Sequence, residues 1–284
     1  MRTFLEAGRH RHFRSLGLSA RALSLLAILL FTSACLRQTV RDDEAQTQVA
    51  ELIEESTHPA LQAPGCEPWR DAPADLILER VREQTHRGQP IGYAAARDHL
   101  FGRAEPWIDI DEEDHVTCAY TGRRARIDGT RTPEDMNTEH TWPRSQGSRD
   151  EPALSDLHHL FVTDRLANNR RSNYAFGTPD CELDPRYGCR WEEGGSRMGR
   201  APSGNLVFEV RPQMRGDIAR AQFYFAVRYG FSIPVETEDA LRQWHASDPP
   251  DDAERRRNDA IEIVQGNRNP FIDCAQLTQV IADF

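Results

Sequence analysis

The sequence contains no lysine, so all 35 of its basic residues are arginine. Each cationic side chain is therefore a planar guanidinium, whose five N–H donors suit a phosphate. Basic residues are outnumbered by 45 Asp and Glu, and the formal net charge is −10 at pH 7. An acidic chain does not bind a polyanion through its overall field. If the partner is a polyanion, contact must come from a local basic patch or a metal.

The sequence also lacks an apolar run long enough to cross a bilayer. Its most apolar stretch, residues 23–31, is shorter than the ~20 residues that a spanning helix needs. A basic segment precedes this stretch and the small residues Thr32-Ser33-Ala34-Cys35 follow it, which is the order of an export signal. The basic segment contains Arg2, Arg9, Arg11, Arg14 and Arg21. We therefore predict a signal peptide over residues 1–35.

Cys35 resembles the cysteine of a bacterial lipobox, which is lipidated after cleavage, although Thr32 stands where Leu is usual. The alternative is an ordinary signal peptide that is cut nearby. Both interpretations predict an exported protein. With lipidation it would be a bacterial outer-membrane lipoprotein, periplasmic or extracellular, held at the membrane by a lipid anchor on Cys35.

No pair of cysteines has the C-x-x-C spacing, which argues against a structural zinc knuckle. Export favours disulfides instead. Cys181 and Cys189 enclose a short loop and are the predicted pair. Two of Cys66, Cys118 and Cys274 are expected to form a second bridge, which leaves one free thiol.

The remaining chain predicts a mixed α+β domain behind a flexible tether. Residues 36–72 are polar and contain several prolines, as in a tether. Helical spacing predicts two helices within residues 73–102, separated at Gly88-Gln89-Pro90, and further helices over 215–229, 241–245 and 253–264. Strands are predicted at 107–110, 116–120, 157–162 and 207–210. The turn-rich segment 265–273 is expected to close the domain rather than to catalyse.

Four arginines follow the first two predicted strands, at Arg123, Arg124, Arg126 and Arg131. One interpretation is a solvated hairpin edge, which charged residues protect from pairing with another strand. The other is a strip that contacts phosphates, the local basic patch that an acidic protein would need. The sequence leaves both interpretations open.

Candidate catalytic groups are concentrated in residues 137–177. His140 precedes Trp142-Pro143, where a central strand cannot continue, so its imidazole is expected at a strand end that opens into a loop. An imidazole there can accept a proton from water near neutral pH. Glu139 offers a carboxylate and a nearby Asn a carbonyl oxygen, both of which are ligands for a divalent cation such as Mg²⁺.

A short helix is predicted from a cap at Thr163 or Asp164 through about residue 172. Helical spacing places Asn168, Arg171 and Ser172 on one face, and Asn169 with Arg165 and Asn173 on another. This spacing favours Asn168 over Asn169 as the metal ligand.

Strand geometry restricts two pairs of neighbouring residues. Adjacent side chains on a regular strand point to opposite faces, yet Glu139 and His140 must serve one site. The backbone must therefore twist, bulge or end there. By the same rule, one of His158 and His159 is expected near the site or its surrounding shell and the other in the packing. The alternative is that either is only a hydrogen-bonded core histidine.

Five sequence blocks resemble the bacterial endonuclease I family of secreted or periplasmic nucleases, which are built on the ββα-metal, or His-Me, finger. The blocks are EHTWPRS, DLHHLFVTD, ANNRRSNYAFG, GDIARAQFYFAVRY and QGNRNPFID. The resemblance runs from about residue 73 to residue 283. It implies a single, mostly helical nuclease domain over 73–284, with the finger embedded at about 137–177.

The resemblance also implies the site residues and the reaction. His140 would be the general base that activates water, and Glu139 and Asn168 would hold one divalent metal ion, Mg²⁺ by preference, with Ca²⁺ or Mn²⁺ as alternatives. Weaker candidates for contact with phosphate are Arg171, Arg165, Arg123 and Arg124. The substrate would be DNA, with RNA as a further candidate, and the products would carry 5′-phosphates. No protein partner is inferred.

Two other functions stay open at this point. The chain could be a membrane-tethered lipoprotein that uses a nuclease-like scaffold for binding without turnover. It could also be a phosphodiesterase for small molecules, which would need a closed pocket.

Overall fold

A computed structural model describes residues 58–182 and 188–284 of the chain. In chain order, two described helices are followed by four strands, a third helix, four more strands and then five helices. The helices are Ile77–Thr85 (α1), Tyr93–Leu100 (α2), Arg165–Arg171 (α3), Arg215–Tyr229 (α4), Val235–Ser247 (α5), Asp252–Gln265 (α6), Pro270–Asp273 (α7) and Leu277–Val280 (α8). The mixed α+β class predicted from the sequence is confirmed.

The described strands form three small sheets. They are His115–Thr117 (β1), Arg124–Arg126 (β2), Met136–His140 (β3), Leu160–Asp164 (β4), Ala175–Phe176 (β5), Trp191–Glu193 (β6), Ser196–Arg200 (β7) and Leu206–Glu209 (β8). Strands β1 and β2 pair with each other, as do β3 and β4, and the third sheet has the order β5-β8-β7-β6. Strand β5 pairs with β8 in parallel, and the other pairs in these sheets are antiparallel.

Helix α4 is the centre of the hydrophobic core. Apart from Asp217, every residue from Gly216 to Arg228 is buried. The helix packs against α5, α1, α7 and the turn Leu157–His159. It ends at Gly230, which has a φ of 69°, a left-handed conformation that glycine adopts without the steric cost of a Cβ. A helix that is apolar on most of its faces is stable only when it is covered on most sides, as it is here.

Strands β3 and β4 and helix α3 form the strand, strand and helix predicted for the finger. The two strands are antiparallel, with Asn137 opposite Thr163 and His140 opposite Leu160. Asp164 ends β4 and caps α3, because its carboxylate accepts a hydrogen bond from the backbone N–H of Ala167 at 2.8 Å. The chain therefore passes directly from strand to helix, which fixes α3 against the end of the hairpin.

Three of the four predicted strands are wrong in part or in full. The strand predicted at 116–120 ends at Thr117. Residues 157–159 form a 3₁₀ turn instead of the start of a strand, because the Asp156 carboxylate accepts a hydrogen bond from the N–H of His158 and bends the chain. The segment 107–110 is not a strand and contributes only a single bridge from Ile110 to Val116. Asp109 has a φ of 64°, which interrupts the extended backbone there.

Both disulfide expectations are confirmed within the described residues. Cys181 is bonded to Cys189, and Cys66 is bonded to Cys274. The free thiol is Cys118, which is buried.

The predicted tether is too long at its C-terminal end. Residues 59–72 belong to the folded unit, since Leu61, Trp69 and Ala72 are buried and Cys66 is in a disulfide. This packing could not be predicted from the sequence, because the segment is polar and rich in turns and its few apolar residues have neither helical nor strand spacing. Residues 36–57 of the tether, the predicted signal peptide and Cys35 lie outside the described residues. No described helix has both the length and the apolar character needed to cross a membrane.

Candidate active site

A cleft of about 550 Å³ opens beside the β3–β4 hairpin. Its walls come from residues 137–140 of β3, from residues 143–145 of the following turn, and from α3 and the residues after it. Tyr93, the first residue of α2, completes the lining. The cleft therefore lies between the end of β3 and the C-terminal half of α3.

Glu139 and His140 both line this cleft although they are neighbours on a strand. His140 is the last residue of β3, and the chain continues into Trp142-Pro143 and a 3₁₀ turn. His140 is still paired with Leu160 in the ladder. Of the three solutions predicted, the structure shows the end of the strand at this residue.

The Glu139 carboxylate is held from one side. Its Oε1 accepts a hydrogen bond from the Tyr120 hydroxyl at 2.8 Å and lies 3.0 Å from Nη1 of Arg171. Among the described residues, its Oε2 has no hydrogen-bond donor. Burial raises the pKa of Glu139 to about 7, while Arg171 and Tyr120 act in the opposite direction. Because burial disfavours the ionised form of Glu139, a cation beside the carboxylate would stabilise that form.

The His140 ring is held in one tautomer by the backbone. Its Nε2 lies 3.0 Å from the carbonyl oxygen of Leu154. A carbonyl only accepts, so Nε2 carries the proton and Nδ1 has the free lone pair. Burial, followed by the charges of His159, Arg144 and Arg171, lowers the pKa of His140 to about 3. The imidazole is therefore neutral at pH 7, with the lone pair of Nδ1 unprotonated.

Asn168 is anchored to the same strand, since its Nδ2 donates to the carbonyl oxygen of Thr138 at 3.2 Å. This bond fixes the amide, and no described residue donates to its Oδ1. The free oxygens of Glu139 and Asn168 are hard donors of the kind that Mg²⁺, Ca²⁺ and Mn²⁺ prefer. The residues present therefore fit a divalent cation. Asn169, predicted to face elsewhere, also lines the cleft but makes no hydrogen bond to β3.

Arg171 lies in a different environment from the one expected of a phosphate-binding side chain. Its side chain is only 2% exposed, and the guanidinium binds Glu139 and the carbonyl oxygens of His140 and Thr141. It also lies over the Phe176 ring, 4.5 Å from the ring centre. Most donors of this guanidinium hold the walls of the cleft together, and its contact with phosphate stays a prediction.

The other predicted phosphate contacts lie outside the cleft lining. Arg124 pairs with Asp111 and Glu113, Arg165 pairs with Asp135 at 2.8 Å, and Arg123 lies 4.0 Å from Asp164. Arg124 is on β2, at the exposed edge of a two-stranded sheet. This placement favours the interpretation of the arginine run as a solvated hairpin edge.

His158 and His159 are both buried, but they face different neighbours. The His159 ring packs edge-on against His140 at 5.5 Å and its Nε2 bonds the carbonyl oxygen of Ala153. His158 packs against Tyr224 at 4.5 Å, in the core. The structure therefore identifies His159 as the one beside the site.

Sequence reasoning missed three residues of the site. Tyr120 holds Glu139 from 19 positions away, and the Tyr93 ring lies 5.2 Å from the His140 ring. Neither has a local sequence signal. Arg144 lines the cleft and lies within the block EHTWPRS, where its position directly after a proline at a strand end was the available signal.

Comparisons with known proteins converge on one family. A family model described as endonuclease I matches residues 93–276. The chain is 35% identical over 207 residues to an extracellular ribonuclease of Bacillus subtilis, a match covering 61% of this chain and 66% of that protein. It is 33% identical over 123 residues to an extracellular deoxyribonuclease of Aeromonas hydrophila, covering 42% of this chain and 49% of that protein. The chain thus matches just under two thirds of the ribonuclease and about half of the deoxyribonuclease. Every residue that lines the cleft lies inside the family match.

Proposed function

The chain belongs to the endonuclease I family, and on that basis we propose that it is an exported, metal-dependent endonuclease that hydrolyses phosphodiester bonds of nucleic acid. The observation that carries the proposal is the meeting of Glu139, His140 and Asn168 in one cleft. DNA is the proposed substrate, and RNA is a second, because the relatives include both a deoxyribonuclease and ribonucleases.

In the proposed reaction, Nδ1 of His140 takes a proton from the water that attacks phosphorus. The bond from phosphorus to the 3′ oxygen breaks, and this oxygen takes a proton from solvent. The products would carry 5′-phosphate and 3′-hydroxyl ends. The Nε2–H of His140 stays bonded to the Leu154 carbonyl, which supports the positive charge on the ring. The negative phosphodiester next to the ring also favours its protonated form and so raises its pKa on binding.

Glu139 and Asn168 would hold the divalent cation, most suitably Mg²⁺, with Ca²⁺ and Mn²⁺ as alternatives. When bound, it would neutralise the charge that develops on the phosphate and on the leaving oxygen. Tyr120 and Arg171 keep Oε1 of Glu139 occupied. They thereby present Oε2 in a fixed orientation, which reduces the cost of ordering the ligand when the cation binds.

The test is cleavage of plasmid, linear DNA and RNA by the purified protein, with Mg²⁺ or with EDTA. We expect cleavage only with metal, and a His140→Ala variant slower by about 10²–10⁴-fold because it lacks the general base. His86→Ala is the matched control, since His86 is exposed and does not line the cleft. Persistent cleavage by His140→Ala would contradict the mechanism.

The same assay separates the alternatives. Binding of DNA without cleavage in Mg²⁺ would support a scaffold without turnover. Cleavage of small diesters but not of polymers would support a small-molecule phosphodiesterase. Conversion of closed circular plasmid to nicked or linear forms identifies endonucleolytic attack, because a closed circle has no ends.

We also propose that the protein is an outer-membrane lipoprotein anchored through Cys35, in keeping with relatives named as extracellular or periplasmic enzymes. Mass spectrometry of the mature N-terminus tests this proposal. A lipidated Cys35 is the expected result, and an unmodified terminus at another residue would remove the anchor.

A further inference from the structure

Arg144 stands on the rim of the cleft at the start of the 3₁₀ turn Arg144–Gln146. The backbone of this turn is firmly fixed. The Trp142 indole packs on Phe225 and donates its N–H to the carbonyl oxygen of Gln146 at 3.0 Å, and Ser148 donates to the carbonyl oxygen of Trp142 at 2.7 Å. The exposed guanidinium of Arg144 is thus carried on a rigid base, four residues after the catalytic histidine.

Among the described residues, Arg144 has no ion-pair or hydrogen-bond partner for its side chain. This separates it from the arginines that the sequence made candidates. Arg123, Arg124 and Arg165 all lie near carboxylates, and Arg171 is buried against Glu139. A guanidinium without an internal partner keeps all five donors for a ligand.

The charge of the cleft differs from that of the whole chain. The chain carries −10, but the described residues that line the cleft include a single carboxylate, Glu139, which is paired with Arg171. The rest of the lining is neutral at pH 7 except for Arg144. An anion that approaches the cleft therefore meets one uncompensated positive charge, and a concave site focuses such a field.

We propose that Arg144 binds a phosphate of the substrate strand next to the scissile one. This inference rests on the proposed nuclease function and deepens it, because it assigns the local basic contact that an acidic chain needs to one side chain. The contact lies on the exposed rim, whereas Glu139 is 2% exposed at the base of the cleft. A rim contact binds the ground state and the transition state alike, so it acts on affinity more than on the chemical step.

The first test measures binding without cleavage. Full-length protein carrying His140→Ala is titrated with a short fluorescent oligonucleotide in EDTA, over a range of salt concentrations. Adding Arg144→Ala is expected to weaken binding about tenfold and to lower the salt slope by about 1, because one phosphate contact is lost. Arg144→Lys keeps the charge, so it is expected to retain the slope while losing part of the affinity.

Arg149→Ala is the matched control. Arg149 lies in the same stretch between β3 and β4 and is exposed. Its side chain has no ion-pair or hydrogen-bond partner among the described residues, and it does not line the cleft. It changes the net charge by the same amount, so overall electrostatics predicts an equal effect for both variants. A contact predicts an effect for Arg144 alone.

The second test is kinetic. With Mg²⁺, Arg144→Ala in the otherwise unchanged protein is expected to raise KM about tenfold and to leave kcat within about twofold, as for the loss of uniform binding. If Arg144→Ala and Arg149→Ala give the same affinity, salt slope and KM, the contact is refuted while the nuclease function stands. A parent protein that neither cleaves nor binds nucleic acid would overturn both proposals.

Discussion

Arg171 illustrates how burial changes the role of a residue. Its position one turn after Asn168 on α3 suggested contact with phosphate. In the structure its guanidinium instead joins Glu139 on β3 to the carbonyl oxygens of His140 and Thr141. The Arg171 side chain therefore holds both the Glu139 carboxylate, which is a metal-ligand candidate, and the backbone carbonyl groups of the next two residues. We infer a positioning role for it.

Replacing Arg171 by Met is expected to destabilise the fold strongly. The substitution leaves the Glu139 carboxylate buried with only Tyr120 as a partner, and breaking a buried ion pair costs about 3–5 kcal/mol. Urea unfolding without metal at pH 7 measures the loss. The control is Arg165→Met, which removes an exposed pair with Asp135 and should change stability by about 0.5 kcal/mol or less. Equal losses of unfolding free energy in the two variants would show that the buried pair contributes no more to stability than the exposed pair.

Helix α3 is the element that brings the second metal-ligand candidate to the strand that carries the first. It has only seven residues, too few to be stable alone. Its position depends on the Asp164 cap, and the same carboxylate accepts a hydrogen bond from Thr121 at 2.7 Å. Capping is therefore coupled to function here, because a shift of α3 moves Asn168.

Asp164→Ala is expected to lower both stability and nuclease activity. Losing a helix cap costs about 1 kcal/mol, and displacement of Asn168 should lower kcat/KM by about tenfold or more under conditions where the protein stays folded. Asp251→Ala provides the comparison, since Asp251 caps α6 through Glu254 in the same way but does not line the cleft.

Circular dichroism melts and initial cleavage rates, taken well below the melting temperature, separate the two effects. Both variants should melt lower, but only Asp164→Ala should lose activity. Full activity in a folded Asp164→Ala protein would mean that α3 keeps its place without the cap.

At the scale of the whole molecule, the chain is closed by a contact between its two ends within the described range. The segment 59–72 lies beside α8, and Cys66 is bonded to Cys274 across 208 positions of sequence. The second disulfide, Cys181–Cys189, spans only 8 positions. The two bonds restrict the unfolded chain to very different degrees, because loop-closure entropy grows with loop length.

Removing the long-range disulfide is expected to cost more stability than removing the local one. On the chain-entropy model, the Cys66→Ala/Cys274→Ala double variant should lose about 5–6 kcal/mol, and Cys181→Ala/Cys189→Ala about 2–3 kcal/mol. Urea unfolding of both double variants at one pH provides the comparison. A larger loss from the local bond would show that native-state packing around it outweighs chain entropy.

Features that depend on neighbouring residues were determined by the sequence itself. The period of apolar residues predicted α1 and α2 and the bounds of α4 at Arg215 and Tyr229. The sequence predicted a helix cap at Thr163 or Asp164, of which the structure shows Asp164, and short spacing predicted the Cys181–Cys189 bond. Each depends on interactions over a few positions of chain, which local propensity and loop length describe.

Only the tertiary structure decided which distant groups share the site. Tyr120 and Arg171 reach Glu139, the Leu154 carbonyl sets the tautomer of His140, and Cys66 bonds Cys274 while Cys118 stays free. The structure also distinguished arginines that look alike in the sequence, by burying or pairing most of the candidates and leaving Arg144 on the cleft. Burial and charge pairing depend on which surfaces pack together, and residue spacing along the chain does not specify those contacts.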